Sequence, residues 1–154
     1  MNIPVRKIRR AKADDIDTIC AFDQESAGTE RKDAIRRATD SENSYVLEQD
    51  GRVIALGILE YTFFEQGFIS LVYVDPRERR TGAGEMLLRH LVSACRTPRL
   101  FSSTSLTNIP MQALFAKLGF EVSGVVHNLD PKDPELVYYK ADATESEDGL
   151  KHRT

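Results

Sequence analysis

Residues 77–88, RERRTGAGEMLL, have the residue types of an anion-binding site. Arg79 and Arg80 precede a run of small residues, and a helical pattern follows at once. The first N–H groups of a helix lack partners within the helix, and the helix dipole places partial positive charge at that end. Glycine at 82 and 84 lets a ligand approach the backbone closely. The stretch therefore predicts a diphosphate site formed by Arg79, Arg80, Thr81, Gly82, Ala83 and Gly84.

The same glycines also have a simpler interpretation, as a tight turn between a strand and a helix. The better-known phosphate loops do not fit here. There is no G-x-x-x-x-G-K-[ST], and G-x-G-x-x-G fails because position 87 is leucine. A bare G-x-G leaves the two interpretations open, and no residue pattern in the chain resembles a zinc site.

The elements around this stretch follow from the hydrophobic pattern. Residues 68–74, FISLVYV, form a nearly continuous apolar run, which predicts a central strand buried on both faces. Asp75-Pro76 ends that strand, and a helix is expected over about 84–95 because its leucines share one stripe. A hairpin is expected around Asp50-Gly51, and Gly67 is expected to break the next connection.

The remaining segments complete an alternating order of strands and helices. A first strand over 5–11 precedes two helices, DDIDTICAF with Asp14 as N-cap and TERKDAIRRATD. RLFSS, EVSGVV and ELVYYK read as strands, and NIPMQALFAKLGF as a helix. The predicted order is β-α-α-β-β-β-α-β-α-β-β, an α/β fold with a mixed, mostly antiparallel sheet flanked by helices. We expect one domain over 1–141 and a disordered tail over 142–154, which has almost no apolar content.

Composition narrows the class of partner. The chain has 154 residues with a net charge of −3, which argues against an electrostatic nucleic-acid binder. No apolar run has the length of a membrane span, and the first residues lack the apolar core of a signal peptide. We therefore expect a cytoplasmic protein with no membrane and no nucleic-acid partner. The two cysteines lie in apolar helical patterns and read as small buried hydrophobes.

Two motifs resemble those of one family. VDPRERRTGAGEMLL resembles the acyl-CoA-binding signature of the GCN5-related N-acetyltransferase (GNAT) superfamily, R/Q-x-x-G-x-G/A after a hydrophobic strand. Arg79, Gly82 and Gly84 fill its fixed positions, while Arg80 stands where glycine is common. NIPMQALFAKLGF is similar to the family's N-x-x-A-x-x-x-Y-x-x-x-G-F helix. The element order from Val5 to the last strand also matches.

The resemblance implies acetyl-CoA as co-substrate. In the family, the strand that here carries Val72 and Val74 splays from its neighbour, so that the pantetheine arm pairs with free strand backbone. Backbone N–H groups from about Arg79 to Gly84 hold the pyrophosphate. Asn108 matches a position that contacts the cofactor arm, and helix N-capping is the alternative role for this residue.

The resemblance also implies direct transfer, in which an amine attacks the thioester in a ternary complex. The tyrosine that usually protonates the leaving thiolate falls at position 115, which here is Phe115. Phenylalanine donates no proton, so we take it as core packing. A hydroxyl elsewhere then becomes the candidate acid, with Ser105 first and Thr107 and Ser70 as alternatives.

The sequence also leaves open which residue accepts the proton from the amine. Family bases are usually carboxylates near the central strands, and the nearest in sequence are Glu60 and Glu65, of which we favour Glu65. Tyr73 lies between Val72 and Val74, so its side chain points to the opposite face. There it either lines the substrate side or simply packs.

The acceptor substrate is the part of the function that the sequence specifies least. We expect the primary amine of a small molecule. The acidic loop with Asp130, Asp133 and Glu135 either favours a cationic amine or is simply solvated. A domain that binds acyl-CoA without turnover is the alternative function, because Phe115 replaces the usual acid. A protein or tRNA acetyltransferase is a third, with the net charge against tRNA. The resemblance leaves a homodimer open.

Overall fold

A computed structural model describes residues 3–22 and 29–141 of the chain. The tail over 142–154 lies outside the described residues, so its predicted disorder stays a prediction. The helices and strands, in chain order, are β1 (Arg6–Arg10), α1 (Ala13–Phe22), α2 (Thr29–Asp40), β2 (Ser44–Gln49), β3 (Arg52–Phe63), β4 (Gln66–Val74), a 3-10 turn (Pro76–Glu78), α3 (Ala83–Ala94), β5 (Arg99–Ser105), α4 (Ile109–Lys117), β6 (Glu121–Val126) and β7 (Glu135–Ala141).

The strands form one seven-stranded sheet in the order β1-β2-β3-β4-β5-β7-β6. β1 with β2, β2 with β3, β5 with β7 and β6 with β7 pair antiparallel, whereas β4 and β5 pair parallel. The predicted element order and the mixed, mostly antiparallel sheet are therefore confirmed. Among the described helices, none has the length and apolar content needed to cross a membrane.

The chain divides into two compact units. The first comprises Met1–Glu60 and Ser70–Ala94, and the second comprises Tyr61–Ile69 and Cys95–Thr154. β1, α1, α2, β2, most of β3, the end of β4 and α3 thus belong to the first unit. The tip of the β3–β4 hairpin and all elements from β5 onward belong to the second. The prediction of a single domain over 1–141 stays a prediction.

The core of the first unit is built around β3, whose residues 53–59 are all buried. One cluster packs β3 and β2 against α1 and α2, through Ile16, Ile19, Ile35, Ala38, Val46, Val53, Leu56 and Ile58. A second cluster packs the sheet against α3, through Leu47, Ile54, Ala55, Ala83 and Leu87. The expectation that β4 is the strand buried on both faces is wrong. Only Gly67 and Ile69 are buried in β4, because the helices cover both faces of β3 instead.

The β2–β3 turn has the conformation that the sequence predicts, whereas the β3–β4 turn does not lie where the sequence predicts a break. Asp50 and Gly51 have φ values of 52° and 82°, the left-handed pair that the sequence predicts for the β2–β3 turn. The β3–β4 turn consists of Phe64 and Glu65, with φ values of 51° and 63°. The expected break at Gly67 is wrong, since Gly67 lies within β4. Glycine is needed there for space, because a Cβ would lie 2.6 Å from the Cys95 Sγ.

An ion pair fixes the start of α1. Arg9 donates from Nη1 and Nη2 to the two Asp15 carboxylate oxygens at 2.8 and 3.0 Å, and Asp15 also accepts the Lys12 N–H at 2.7 Å. These bonds, led by that from Arg9, lower the pKa of Asp15. The expectation that Asp14 caps the helix is wrong. α1 already begins at Ala13, and the carboxylate that binds the preceding backbone is that of Asp15.

In the second unit, α4 packs its aromatic side chain on the sheet. Phe115 is fully buried and stacks on Tyr138 with ring centroids 4.7 Å apart, while Phe120 lies at 5.1 Å. β7 pairs with β5 from Arg99↔Ala141 to Ser105↔Glu135, and β6 closes that edge. The core role expected for Phe115 is what the packing shows.

Candidate active site

A β-bulge in β3 anchors the end of β4. Leu47 pairs with Ala55, but the next residue, Glu48, pairs with Val53, so Ile54 is an extra residue. The Ile54 carbonyl accepts the backbone N–H of Asp75 at 2.8 Å. Bulges commonly redirect backbone groups in this way beside functional sites. The point at which β4 turns into the loop is therefore set by β3.

The Asp75 carboxylate organises the turn that follows. Its side chain is 1% exposed, and Oδ1 accepts the Arg77 backbone N–H at 3.0 Å, which caps the 3-10 turn. Oδ2 accepts Nη2 of Arg77 at 2.9 Å and Nη1 of Arg52 at 3.2 Å. The Arg77 guanidinium outweighs desolvation and lowers the pKa of Asp75. Asp75 is therefore an ionised carboxylate whose role is to hold the loop.

A chain of polar side chains from β1, β2 and β3 holds the next part of the loop. Arg52 donates to Glu78 at 2.8 Å, and Gln49 donates to the same carboxylate at 3.3 Å. Gln49 accepts Nε of Arg6 at 2.9 Å. Arg6 then donates Nη1 to the Thr81 carbonyl at 3.0 Å and Nη2 to the Thr81 hydroxyl at 2.8 Å. Both polar groups of Thr81 are thus fixed from the sheet edge.

The loop backbone leaves the normal region at two positions. Arg80 has a φ of 65° and Gly82 a φ of 84°. The left-handed conformation at position 80 gives a physical reason why glycine is common there in the family that the motif resembles. A Cβ at position 82 would meet no other heavy atom within 4 Å, so the space in front of Gly82 is open.

The start of α3 presents the N–H groups that the sequence predicts. The helix begins at Ala83, and its first bond runs from the Met86 N–H to the Gly82 carbonyl at 3.0 Å. The N–H groups before Met86 have no partner further back in the helix. Arg79 and Arg80 are exposed beside them. Open backbone, a positive helix end and two cations fit a diphosphate.

Gly84 differs from Gly82 in its surroundings. It lies inside the first turn of α3 with no unusual φ, and a Cβ built there would lie 3.6 Å from the Val74 Cγ2, an ordinary contact. Neither the backbone conformation nor the packing of the protein therefore requires glycine at position 84. Close approach of a ligand remains the physical reason for it.

The end of β4 places its side chains on alternate faces, as the sequence predicts. Val72 and Val74 pack against the cluster under α3. Tyr73 points the other way and stacks on Phe22 at the end of α1, with centroids 5.7 Å apart and an interplanar angle of 9°. The Arg79 guanidinium lies 5.6 Å from the Tyr73 ring centroid. Tyr73 therefore links the loop to α1.

The parallel pairing of β4 with β5 is short. It consists of Gly67↔Leu100, Phe68↔Phe101 and Ile69↔Ser102, and β4 continues to Val74 beyond the last of these pairs. The backbone of Val72 and Val74 lies in this continuation.

The predicted residues of the second unit lie around the start of α4. Asn108 is the N-cap of α4, since its Oδ1 accepts the Met111 N–H at 3.2 Å. Thr107 donates its N–H and its hydroxyl to Asp133 at 3.1 and 2.6 Å. Bonds from Thr107 and from Ser105 lower the pKa of Asp133. The hydroxyls of Ser105 and Thr107 are thus both directed to one carboxylate.

The other members of the acidic loop have local partners too. Glu135 accepts the Ser103 hydroxyl at 2.7 Å, and Asp130 accepts the Lys132 backbone N–H at 2.9 Å. Asp133 in turn ties the loop to Thr107. These contacts give each of the three carboxylates a local partner, and the choice between a cationic acceptor and a solvated loop stays a prediction.

The structure thus sorts the predicted site residues into two sets. Val72, Tyr73, Val74 and the loop from Arg79 to Gly84 come together in the first unit. Glu65, Ser105 and Asn108 belong to the second, where Glu65 is exposed in the turn before β4. Sequence reasoning missed the residues that support the loop from a distance, which are Arg6, Gln49, Arg52 and Ile54. They are 21 to 75 residues away from their partners, and no local pattern marks them.

Comparisons with known proteins define the class. The family model described as Acetyltransferase (GNAT) family matches residues 11–120. An acetyltransferase of the GNAT family from Bacillus cereus ATCC 10987 has a similar structure, with a TM-score of 0.84 and 32% identity over 90% of this chain and 98% of that chain. A search of curated proteins gives no match.

More distant structures share the fold. The ribosomal-protein-S18-alanine N-acetyltransferase from Escherichia coli has a TM-score of 0.73 and 18% identity, over 93% of this chain and 97% of that chain. Ard1 from Thermoplasma volcanium has a TM-score of 0.77 and 21% identity, over 88% and 97%. The family match and the Bacillus structure settle the assignment: the chain belongs to the GNAT family of acetyltransferases.

Proposed function

We propose that this acetyltransferase uses acetyl-CoA to acetylate the primary amine of a small molecule, by direct attack in a ternary complex. The observation that carries the proposal is the loop from Arg79 to Gly84. It combines an open left-handed glycine, the N-terminus of α3 and two exposed arginines. That combination suits the pyrophosphate of coenzyme A.

The residues proposed to hold the coenzyme are taken from the loop before α3, from β4 and from the start of α4. The backbone N–H groups around Gly82, Ala83 and Gly84 would bind the pyrophosphate, with Arg79 and Arg80 adding charge. The backbone of Val72 and Val74, beyond the short pairing with β5, would bind the pantetheine arm. The capping bond of Asn108 uses Oδ1 and leaves the Nδ2 donor of this exposed side chain for the same arm. When bound, acetyl-CoA supplies an acetyl group activated as a thioester.

Proton removal from the amine is assigned to Glu65, with Tyr73 lining the acceptor side. The aromatic contacts of Tyr73 with Phe22 and Arg79 hold its ring on the face opposite Val72 and Val74. Tyr73→Phe and Glu65→Gln separate the two roles. Loss of the base shifts the acidic limb of the pH profile of kcat/KM, whereas loss of a lining contact raises the acceptor KM. An unchanged profile in Glu65→Gln would remove Glu65 as base.

Protonation of the departing thiolate is assigned to Ser105. Phe115 offers no proton and is fully buried, whereas Ser105 carries a hydroxyl near the start of α4. A thiol with a pKa near 8.5 leaves tolerably without help, so we expect Ser105→Ala to slow turnover about tenfold to a hundredfold rather than abolish it. Turnover equal to that of Ser103→Ala, a matched serine on β5, would remove Ser105 from this role.

The function is tested first by calorimetric titration with acetyl-CoA and with coenzyme A, and then by thiol release with a panel of small amines. Micromolar binding and release of coenzyme A with at least one amine are expected. Binding without turnover of any amine would instead support a domain that binds acyl-CoA without catalysis. Absence of binding to either compound would overturn the coenzyme site.

A further inference from the structure

A cavity of about 930 Å³ lies on the α1 side of the sheet, entirely within the first unit. Phe22 and Tyr73 contribute aromatic side chains to its lining, and Arg52, Asp75, Arg77 and Arg79 contribute charged ones. This volume is in the range of small-molecule sites and is far larger than a single phosphate or carboxylate requires. A ligand with an organic body therefore fits it better than a lone ion.

The charge of the lining favours an anion. Three guanidinium groups and one carboxylate line the cavity, and the Glu78 carboxylate pairs with Arg52 outside the lining, which leaves a local charge of about +1. Asp75 is 1% exposed, and its oxygens already accept bonds from Arg77 and Arg52. A guanidinium carries five N–H donors, of which Arg77 gives two to Asp75. Asp75 thus orients Arg77 and, together with Glu78, Arg52, and Arg77 retains donors for a second carboxylate.

The aromatic wall defines the body of the ligand. Phe22 and Tyr73 are stacked rings with an interplanar angle of 9°, and both lie in the lining of the cavity with the cations. Arg79 lies against the same Tyr73 ring at 5.6 Å. A ligand that combines a flat apolar group with a carboxylate or phosphate complements both sides of the cavity.

We propose that this cavity binds the anionic group of the acceptor, so that the enzyme selects amines that also carry a carboxylate or phosphate. The inference rests on the proposed function. It also replaces the cationic acceptor considered from the acidic loop, whose carboxylates Asp133 and Glu135 bond to hydroxyls of β5 and its following turn. The phosphates of coenzyme A share the same chemistry, and the experiment separates the two sources.

The binding experiment uses benzoate and benzamide, which have the same shape and differ in charge. Each is titrated into the protein with and without saturating coenzyme A, followed by NMR. We expect benzoate to bind at least tenfold more tightly than benzamide in both cases. Equal affinities would overturn the anion site. Loss of benzoate binding when coenzyme A is present would assign the cavity to the coenzyme phosphates and overturn the acceptor role.

Variants locate the site. Thr18→Glu adds a negative charge to the cavity wall from an exposed position on α1 and leaves the Asp75 contacts intact. We expect it to weaken benzoate at least tenfold, as should Arg77→Gln. Arg89→Gln makes the same charge change on α3, away from the cavity, and should leave benzoate binding unchanged. Unchanged benzoate affinity in a folded Thr18→Glu protein would overturn the location.

The kinetic experiment compares L-phenylalanine with L-phenylalaninamide as acceptors. We expect the acid to have at least tenfold higher kcat/KM and Thr18→Glu to remove that preference. Acetylation of other amines with no preference for the acid would overturn the acceptor role. If benzoate binds but no amine is acetylated, the proposed function fails while the anion site stands, so the two failures are distinguishable.

Discussion

Arg6 in β1 holds Thr81, in the loop between β4 and α3, with two hydrogen bonds, one to the carbonyl at 3.0 Å and one to the hydroxyl at 2.8 Å. The residues are 75 positions apart, and Gln49 holds the same guanidinium through Nε at 2.9 Å. Because Thr81 directly precedes Gly82, this contact fixes the peptide at which the backbone turns left-handed. The edge strand of the sheet thereby takes part in shaping the loop.

Arg6→Ala tests that link. Losing two hydrogen bonds to the loop should loosen the peptide before Gly82 and weaken binding of coenzyme A about tenfold, since each bond is worth about 1 kcal/mol. Isothermal calorimetry measures the affinity, and thermal unfolding monitors the fold. Lys7→Ala, an exposed neighbour on β1, is the control and should bind normally. Equal affinities in the two variants would show that the loop keeps its shape without Arg6.

Gly82→Ala and Gly84→Ala separate conformation from ligand clearance. Gly82 has a φ of 84°, so alanine should lower the free energy of unfolding by about 1 kcal/mol. Gly84 is helical with an ordinary Cβ contact, so alanine should leave stability unchanged or raise it by up to about 1 kcal/mol. Both should weaken coenzyme A at least tenfold. A Gly84→Ala protein with normal affinity would remove the clearance role of this glycine.

Arg80→Gly and Arg80→Ala separate backbone strain from charge. Arginine adopts a φ of 65° at this position, a conformation that costs an L-residue about 1–2 kcal/mol. The glycine variant should therefore be more stable than the alanine variant by about 1 kcal/mol in urea denaturation. Both lose the same charge and should weaken coenzyme A equally. Equal stability of the two variants would contradict strain at position 80.

Asp75→Asn should change how stability depends on pH. The folded protein holds the Asp75 pKa below the value of about 3.9 in an unfolded chain, chiefly through the Arg77 guanidinium. Ionised Asp75 therefore stabilises the fold above that pH, and the contribution disappears as pH falls through the folded pKa. Because Arg77 and Arg52 are largely exposed, we expect a loss of about 1–2 kcal/mol at pH 7.

Urea denaturation from pH 7 to pH 3 measures this effect. The difference between the wild type and Asp75→Asn should decrease as the pH falls below about 4. Asp40→Asn, at an exposed position of α2, serves as the matched control. A difference that stays constant across this range would mean that the charge of Asp75 is not what holds the turn.

The sequence predicts the local features of this site well. The Arg79–Gly84 spacing, the left-handed Asp50-Gly51 turn and the alternation of Val72, Tyr73 and Val74 all depend on neighbours in the chain, where residue type alone decides conformation. The element order follows for the same reason. The core role of Phe115 also follows from the sequence, because an apolar ring on a helix face is stabilised by burial.

What the sequence could not show depends on distant partners. An apolar run reads the same whether helices cover one face or both, so β4 was expected to be the buried strand instead of β3. Nothing in the residues around Ile54 marks a bulge, because the extra residue is defined only by pairing with β2. The sequence places Gly67 in a break instead of a strand, because the reason for glycine at this position is the neighbouring Cys95 side chain, which lies far along the chain.

The bulge at Ile54 also has a consequence for how the chain tolerates changes of length. Removing Ile54 would restore regular pairing between β2 and β3, but it would also remove a fully buried side chain from the cluster under α3. It would further take away the carbonyl that binds the Asp75 N–H, and with it a backbone contact that holds the end of β4. Single-residue deletions in β3 should therefore be selected against by the loop that follows β4.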